Sequence, residues 1–188
     1  MRAKGILEQL VRLDNRLFRA AARSDLPALR FLPRLSRAAD FARLWILIAA
    51  ALVKWGGRFG QRAALRGLGS LAVTSLLVNL VLKPLFRRTR PSLSQVPALR
   101  QLTRQPRSAS LPSGHAASAA AFTTGVAIAL PALAPPIALV AAAVSYSRIY
   151  TGVHYPSDVA AGAAVGTSIG LLSKSFARRL LPPPEESG

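Results

Sequence analysis

Residues 116–144 read AASAAAFTTGVAIALPALAPPIALVAAAV, and not one of the side chains from Ala116 to Val144 is charged. A helix at the surface of a water-soluble bundle carries a polar stripe on its outer face. This stretch has none to offer. Its Pro131–Pro136 cluster breaks it into two alanine-rich helices, Ala116–Leu130 and Ile137–Val144. Outward from there, three more apolar stretches appear: Phe41–Trp55, Leu65–Leu82 and Val159–Leu172. The first is short, but Ser36–Gly56 spans a membrane if Arg37 and Arg43 snorkel. None is a leucine-rich run of about 20 residues, the usual length of a span, so the buried helices of a soluble bundle are the competing reading. Gly162, Gly166 and Gly170 favour the membrane, because small residues every fourth position let helices approach closely in lipid. That ladder is expected to pack one helix within the bundle. The expected fold is all-α: an integral membrane helical bundle of about five transmembrane helices plus an N-terminal amphipathic helix.

Residues 1–40 form the flank on one side. Leu7, Leu10, Val11, Leu13, Leu17 and Phe18 recur near helical spacing, with Arg12, Arg16, Arg19 and Arg23 between them. Such a helix either lies on an anionic membrane surface or packs on its own protein with its arginines in water. No uninterrupted apolar core follows the first basic residues, which argues against a signal peptide. On the other side, the Pro-rich, acidic residues 181–188 read as a disordered tail. The expected organisation is a basic amphipathic segment 1–40, a membrane domain 41–180 and that tail.

The 188-residue chain holds 25 Lys and Arg against 7 Asp and Glu, a net charge of +18, yet 51% of its residues are hydrophobic. Nucleic-acid binding is the first reading of such a charge. Only 6% of residues are aromatic, though, and no RNA-binding aromatic motif or separate basic domain is present, so no nucleic-acid partner is expected. Membrane-surface arginines account for the excess. Cysteine is absent, which excludes thiolate chemistry. Of the acids, Glu8, Asp14, Asp25 and Asp40 precede the apolar stretches and Glu185 and Glu186 follow them, leaving Asp158 alone in the interior. A carboxylate-built two-metal site is excluded on that distribution. Proton transfer near neutral pH falls to the only two histidines, His115 and His154.

Three segments carry chemistry. Lys83-Pro-Leu-Phe-Arg-Arg-Thr-Arg90-Pro91 closes the second apolar stretch. Pro112-Ser113-Gly114-His115 opens the third, where Ser113 suits an N-cap and unpaired N–H groups form an anion cradle. Ser147-Arg148 through His154 to Asp158 joins the fourth to the fifth. Asp158, four residues beyond His154, is placed to accept one imidazole N–H and leave the other nitrogen free to attack. Lys83, Arg90 and Arg148 abut apolar helices, where an unpaired cation is costly. With a single interior acid to share, their natural partner is an anion from outside, and phosphate suits the guanidinium fork.

At these residues the chain resembles the type 2 phosphatidic acid phosphatase superfamily. The pattern of Lys, six residues, Arg-Pro; Pro-Ser-Gly-His; and Ser-Arg, five residues, His, three residues, Asp is matched without departure across residues 83–158. The resemblance implies that His154 is a nucleophile forming a phosphohistidine, oriented by Asp158, with His115 as general acid. It implies that Lys83, Arg90, Ser113, Gly114 and Arg148 hold the phosphoryl oxygens, without metal or other cofactor. The implied activity is hydrolysis of a lipid phosphomonoester or pyrophosphate: phosphatidic acid, phosphatidylglycerol phosphate or polyprenyl pyrophosphate. Residues Leu35 to Trp45 and the alanine-arginine bias resemble actinobacterial members.

Two other functions stand beside it, a non-enzymatic lipid-phosphate binder or transporter on the same scaffold and a vanadium haloperoxidase. In five spans the three motifs fall on one face. The positive-inside rule places that face in the cytoplasm, whereas the resemblance implies the outer face of a bacterial inner membrane.

Overall fold

The computed structural model describes residues 2–180, and the expected disordered tail, 181–188, lies outside the described residues. Helices and loops make up all of them, with no strand among the described residues. The N-terminal helix α1 (Arg2–Arg23) leads through a short α2 (Leu32–Ala38) to α3 (Arg43–Trp55). Next comes a continuous helix, Gly57–Phe86, made of α4 (Gly57–Leu76), a π-helical segment (Leu77–Leu82) and α5 (Lys83–Phe86). A long loop then precedes α6 (Gly114–Ala129), α7 (Ala134–Tyr150) and α8 (Pro156–Leu180). Each apolar stretch of the sequence thus lies in a helix. The proline cluster acts as read: Pro131 opens a single 3₁₀ turn, and Pro135 and Pro136 occupy the first turn of α7, where no N–H is needed.

Gly57–Phe86 and Pro131–Tyr150 are long and apolar enough to cross a membrane, and most of each faces outward. Ile46, Leu47, Leu65, Val73, Leu76, Leu80, Leu139 and Leu172 are all exposed on the bundle's perimeter. Inside, Trp45 of α3 packs on Phe122 of α6 with ring centroids 5.2 Å apart, among Ala63, Ala64, Leu71, Val126 and Val144. Small residues bring the backbones together. A Cβ on Gly162 or Gly166 would run into the backbone of Ser113 or Ala117, and one on Gly170 into the side chain of Thr124. The glycine ladder therefore seats α8 on α6, the most extensive helix contact in the molecule. Gly125 likewise lets α6 meet the backbone of α4 at Arg66.

Helix α1 uses both of the faces the sequence left open. Phe18, Ala21 and Ala22 are buried against Val96, Ile149 and Tyr155, while Leu10, Leu13 and Leu17 are at least half exposed. Asp14 lies on the inward face at 6% exposure, so the N-terminal segment carries a buried acid into the bundle.

Candidate active site

All three motifs lie at one end of the bundle. Their chain segments are tied by backbone as well as side chains: the N–H of Ser113 donates to the carbonyl of Asp158 at 2.9 Å. The Ser113 hydroxyl caps α6 by accepting from the N–H of Ala116. Both polar groups of Ser113 are thereby engaged, the N–H on Asp158 and the hydroxyl on the start of α6, and the first N–H groups of that helix have no partner within it. The Nζ of Lys83 stands over that turn, 3.5 Å from where a Cβ on Gly114 would lie. The π-helical segment brings Lys83 there, and Asn79 inside it accepts from Nζ at 3.0 Å.

His154 is 2% exposed, and its surroundings decide its tautomer. Arg90 Nη1 lies 3.3 Å from Nε2, and a guanidinium only donates. Nε2 therefore holds the lone pair and Nδ1 the proton. On the Nδ1 side Asp158 Oδ2 is 3.6 Å away, too far for the direct bond its spacing suggests. Ser110 fills the gap. This fully buried hydroxyl donates to Asp158 Oδ2 at 2.5 Å and lies 3.4 Å from Nδ1, where it accepts the imidazole proton. Burial pushes His154 down to about 3, against the opposing pull of Asp158, so the ring is neutral.

Asp158 is fully buried and saturated, taking the N–H of Tyr155 at 2.9 Å and Arg88 Nη1 at 2.8 Å. Arg88 also donates to Asp14 at 2.6 Å, and Asp14 accepts from the hydroxyl and N–H of Ser157 at 2.6 and 2.9 Å. Burial works against the Arg88 charge, but Asp14 and Asp158 outweigh it and hold the guanidinium above its usual range. Asp158 is accordingly not the lone interior acid. Asp14 joins it through Arg88, and Asp40 reaches the site from a 3₁₀ turn after α2.

Asp40 Oδ1 lies 2.9 Å from His115 Nε2, a hydrogen bond that holds the carboxyl below its usual range. The turn is strained, since Phe41 and Ala42 both have positive φ, 55° and 59°. Arg43 braces it by donating to the carbonyls of Asp40 and Arg37 at 3.1 and 2.8 Å.

Lys83, Arg90 and Arg148 have no carboxylate within ion-pair reach among the described residues. Arg90 donates to the carbonyls of Val153, Ser108 and Ala109, and burial pulls it below its usual range. Ser108 Oγ lies 3.3 Å from both Lys83 Nζ and Arg90 Nη2 and joins those two cations. Arg148, 2% exposed, donates through Nη1 to Ser36 of α2, and its buried Nε has no partner. A groove of about 620 Å³ lined by Asn79, Lys83, Arg87, Arg90, Arg107 and Ser108 opens beside this cluster. The larger cavity, about 910 Å³ between α1 and the loop carrying Arg100, touches neither histidine.

The structure thus gathers every residue singled out in the three motifs and adds Asp14, Ser36, Asp40, Asn79, Arg88, Ser108 and Ser110. Helical spacing could have found Asn79, four residues before Lys83, but not the others, which act across the bundle or from irregular loops and turns. Scarcity of acids was the one available signal, and it was read as pointing to Asp158 alone, with Asp14 and Asp40 set aside in the N-terminal flank.

The sequence model of the PAP2 superfamily matches residues 63–181, more than half of the chain. The chain belongs to the PAP2 superfamily. Among its relatives is the decaprenylphosphoryl-5-phosphoribose phosphatase of Mycobacterium tuberculosis, 41% identical over 112 residues, which are 57% of this chain. That match spans 58% of the mycobacterial protein's own length. Phosphatidylglycerophosphatase B of Bacillus subtilis is 30% identical over 147 residues, 71% of this chain and 69% of that one. Among solved PAP2-like structures, Aquifex aeolicus LpxE superposes with a TM-score of 0.70 at 26% identity, over 87% of this chain and 95% of LpxE.

Proposed function

We propose that this PAP2 protein is an integral membrane phosphatase that hydrolyses a lipid phosphomonoester or pyrophosphate through a phosphohistidine. One observation carries the reading: the lone pair of a neutral, buried His154 Nε2 meets Arg90, which Ser108 joins to Lys83, and neither of these cations nor Arg148, with its orphaned N–H, has a carboxylate partner among the described residues. A phosphoryl group supplies the missing acceptors. Phosphoryl transfer is mostly positioning and neutralisation of charge on the equatorial oxygens, and Lys83, Arg90, Arg148 and the Gly114 end of α6 are arranged for that. Ser113 serves by fixing that helix start.

In the first half-reaction, Nε2 of His154 forms a bond to phosphorus as the bond to the ester or bridging oxygen breaks. The electron pair goes to that oxygen, and His115 gives it a proton. Ser110 and Asp158 take up the positive charge that develops at Nδ1. In the second, water attacks phosphorus, His115 recovers a proton from it, and the P–N bond breaks to return Nε2.

The relatives act on polyprenyl-linked and glycerolipid phosphates by their names, which supports a lipid substrate. The outward-facing apolar perimeter supports membrane insertion, and the half-exposed Leu10, Leu13 and Leu17 of α1 support contact with lipid. Five helices, α3, Gly57–Phe86, α6, α7 and α8, are the spanning set. The family resemblance favours the outer face of a bacterial inner membrane for the site.

The test is phosphate release from phosphatidic acid, phosphatidylglycerol phosphate and undecaprenyl pyrophosphate, by the detergent-purified full chain in EDTA. Release from at least one, absent in His154→Ala, is expected. No release by either protein would turn the reading toward a lipid-phosphate binder.

A further inference from the structure

Asp40 lies outside all three motifs, yet it makes the one side-chain hydrogen bond of His115 among the described residues. Its turn is built at some cost. Two consecutive residues without glycine's freedom, Phe41 and Ala42, take left-handed conformations, which side chains with a Cβ disfavour. Strain of this kind persists only where neighbouring contacts hold it, and Arg43 holds both sides of the kink. The result is a carboxylate delivered to Nε2 of a ring whose other charged neighbours, Arg148 from α7 and Lys83 from α5, are both cations.

A general acid must carry a proton, which neighbouring cations repel. Asp40 and the charge of a bound phosphate are the groups that favour it. Because Asp40 accepts from Nε2–H, the nitrogen left for chemistry is Nδ1.

We propose that Asp40 is the positioning residue for His115, anchoring Nε2–H so that Nδ1–H is aimed at the leaving oxygen with its proton in place. The proposal rests on the phosphatase reading and on His115 as its acid. In the cycle, Nδ1–H passes its proton to the leaving oxygen while Nε2–H stays on Asp40. Nδ1 then takes a proton from the attacking water, and nothing is left over.

The experiment compares wild type, Asp40→Asn, Asp40→Glu, His115→Ala and the double variant Asp40→Asn/His115→Ala. Two substrates are used: dioctanoyl phosphatidic acid, an alkoxide leaver, and p-nitrophenyl phosphate, whose leaver needs no proton. Asp40→Asn is expected to lower kcat on the phosphatidate about 10²-fold with little change in KM or in aryl turnover, a loss at the low end of general-acid effects. The falling, alkaline limb of the phosphatidate profile moves to lower pH, because the acid loses the carboxylate that favours its protonated form. Asp40→Glu, which keeps the charge, leaves that limb in place. The double variant is no slower than His115→Ala.

Histidine NMR gives a readout independent of turnover, since the chain has only two histidines. Asp40→Asn should shift the titration of one ring downward and leave the spectrum of the other unchanged, which also shows that the His154 centre remains folded. Equal losses on both substrates, multiplied losses in the double variant, or an unmoved titration would overturn the role of Asp40. Equal loss on both substrates in His115→Ala itself would instead bring down the acid reading beneath it.

Discussion

His154 is 2% exposed and partnered at both ring nitrogens, by Arg90 on one side and by Ser110, relaying Asp158, on the other. The His115 side chain is 22% exposed and has Asp40 at a single nitrogen. The two centres also differ in chain distance: Asp158 is four residues from His154, whereas Asp40 is 75 residues from His115. These contrasts match two tasks. A nucleophile needs one fixed tautomer with its lone pair turned toward the phosphoryl site, which a dry pocket with a donor on one face provides. An acid must gain and lose a proton each cycle, so it needs a counter-charge and one free edge.

The comparison can be broken most decisively at His154. His154→Ala should lower turnover by about 10³-fold or more, and acid-quenched phosphate should appear on wild type and never on this variant. The same ring gives a pH signature. Because burial lowers it from an ordinary value near 6.5 to about 3, only the unfolded chain takes up its proton as pH falls below about 6.5. Its contribution to stability is complete above that pH and is lost through the window down to about 3, at up to roughly 1.4 kcal/mol per pH unit. Thermal denaturation in phosphate-free buffer at decreasing pH measures it, and a midpoint that stays constant across this window would contradict a buried neutral ring. Ser110→Ala is the next test. It removes the relay and leaves Nδ1–H without a partner, an expected loss of about 10-fold in kcat from roughly 1–2 kcal/mol. An unchanged rate would mean that Asp158 closes the gap on its own. The smallest effect on turnover is expected at Gly166→Ala, where a methyl group meets the Ala117 backbone. Overpacking there should reduce stability by about 1–3 kcal/mol, seen as a lower Tm, with the tautomer of His154 retained.

How legible each centre was in the sequence follows the same division. His154 and Asp158 share one turn's spacing, and Ser113 through His115 sit at a recognisable helix start, so local rules reach them. The apolar helices were legible for a similar reason, as nearly uncharged runs bounded by Pro, Gly and basic residues. Ser110 lies in an irregular loop, and nothing in its neighbours marks it as fully buried. Arg88 looks like one more basic residue beside Arg87, and only packing reveals that it joins Asp14 to Asp158. Asp40 looked like part of a polar flank, because its role depends on a kink made by Phe41 and Ala42, residues with no turn preference of their own. The hydrogen bond expected from His154 directly to Asp158 is replaced by a relay, since spacing sets proximity but not the last ångström.

The glycine stripe on α8 has a mechanical consequence. With backbone lying against backbone at Gly162 and Gly166, Gly170 on Thr124 beyond them and the Ser113–Asp158 bond at the other end, α6 and α8 form one closely packed pair whose ends carry parts of both histidine-bearing motifs. The rest of the pocket, the loop from Arg87 to Ser110 and the kinked turn at Asp40, is held to that pair by side chains alone, Arg88 and Ser110 on Asp158 and Asp40 on His115.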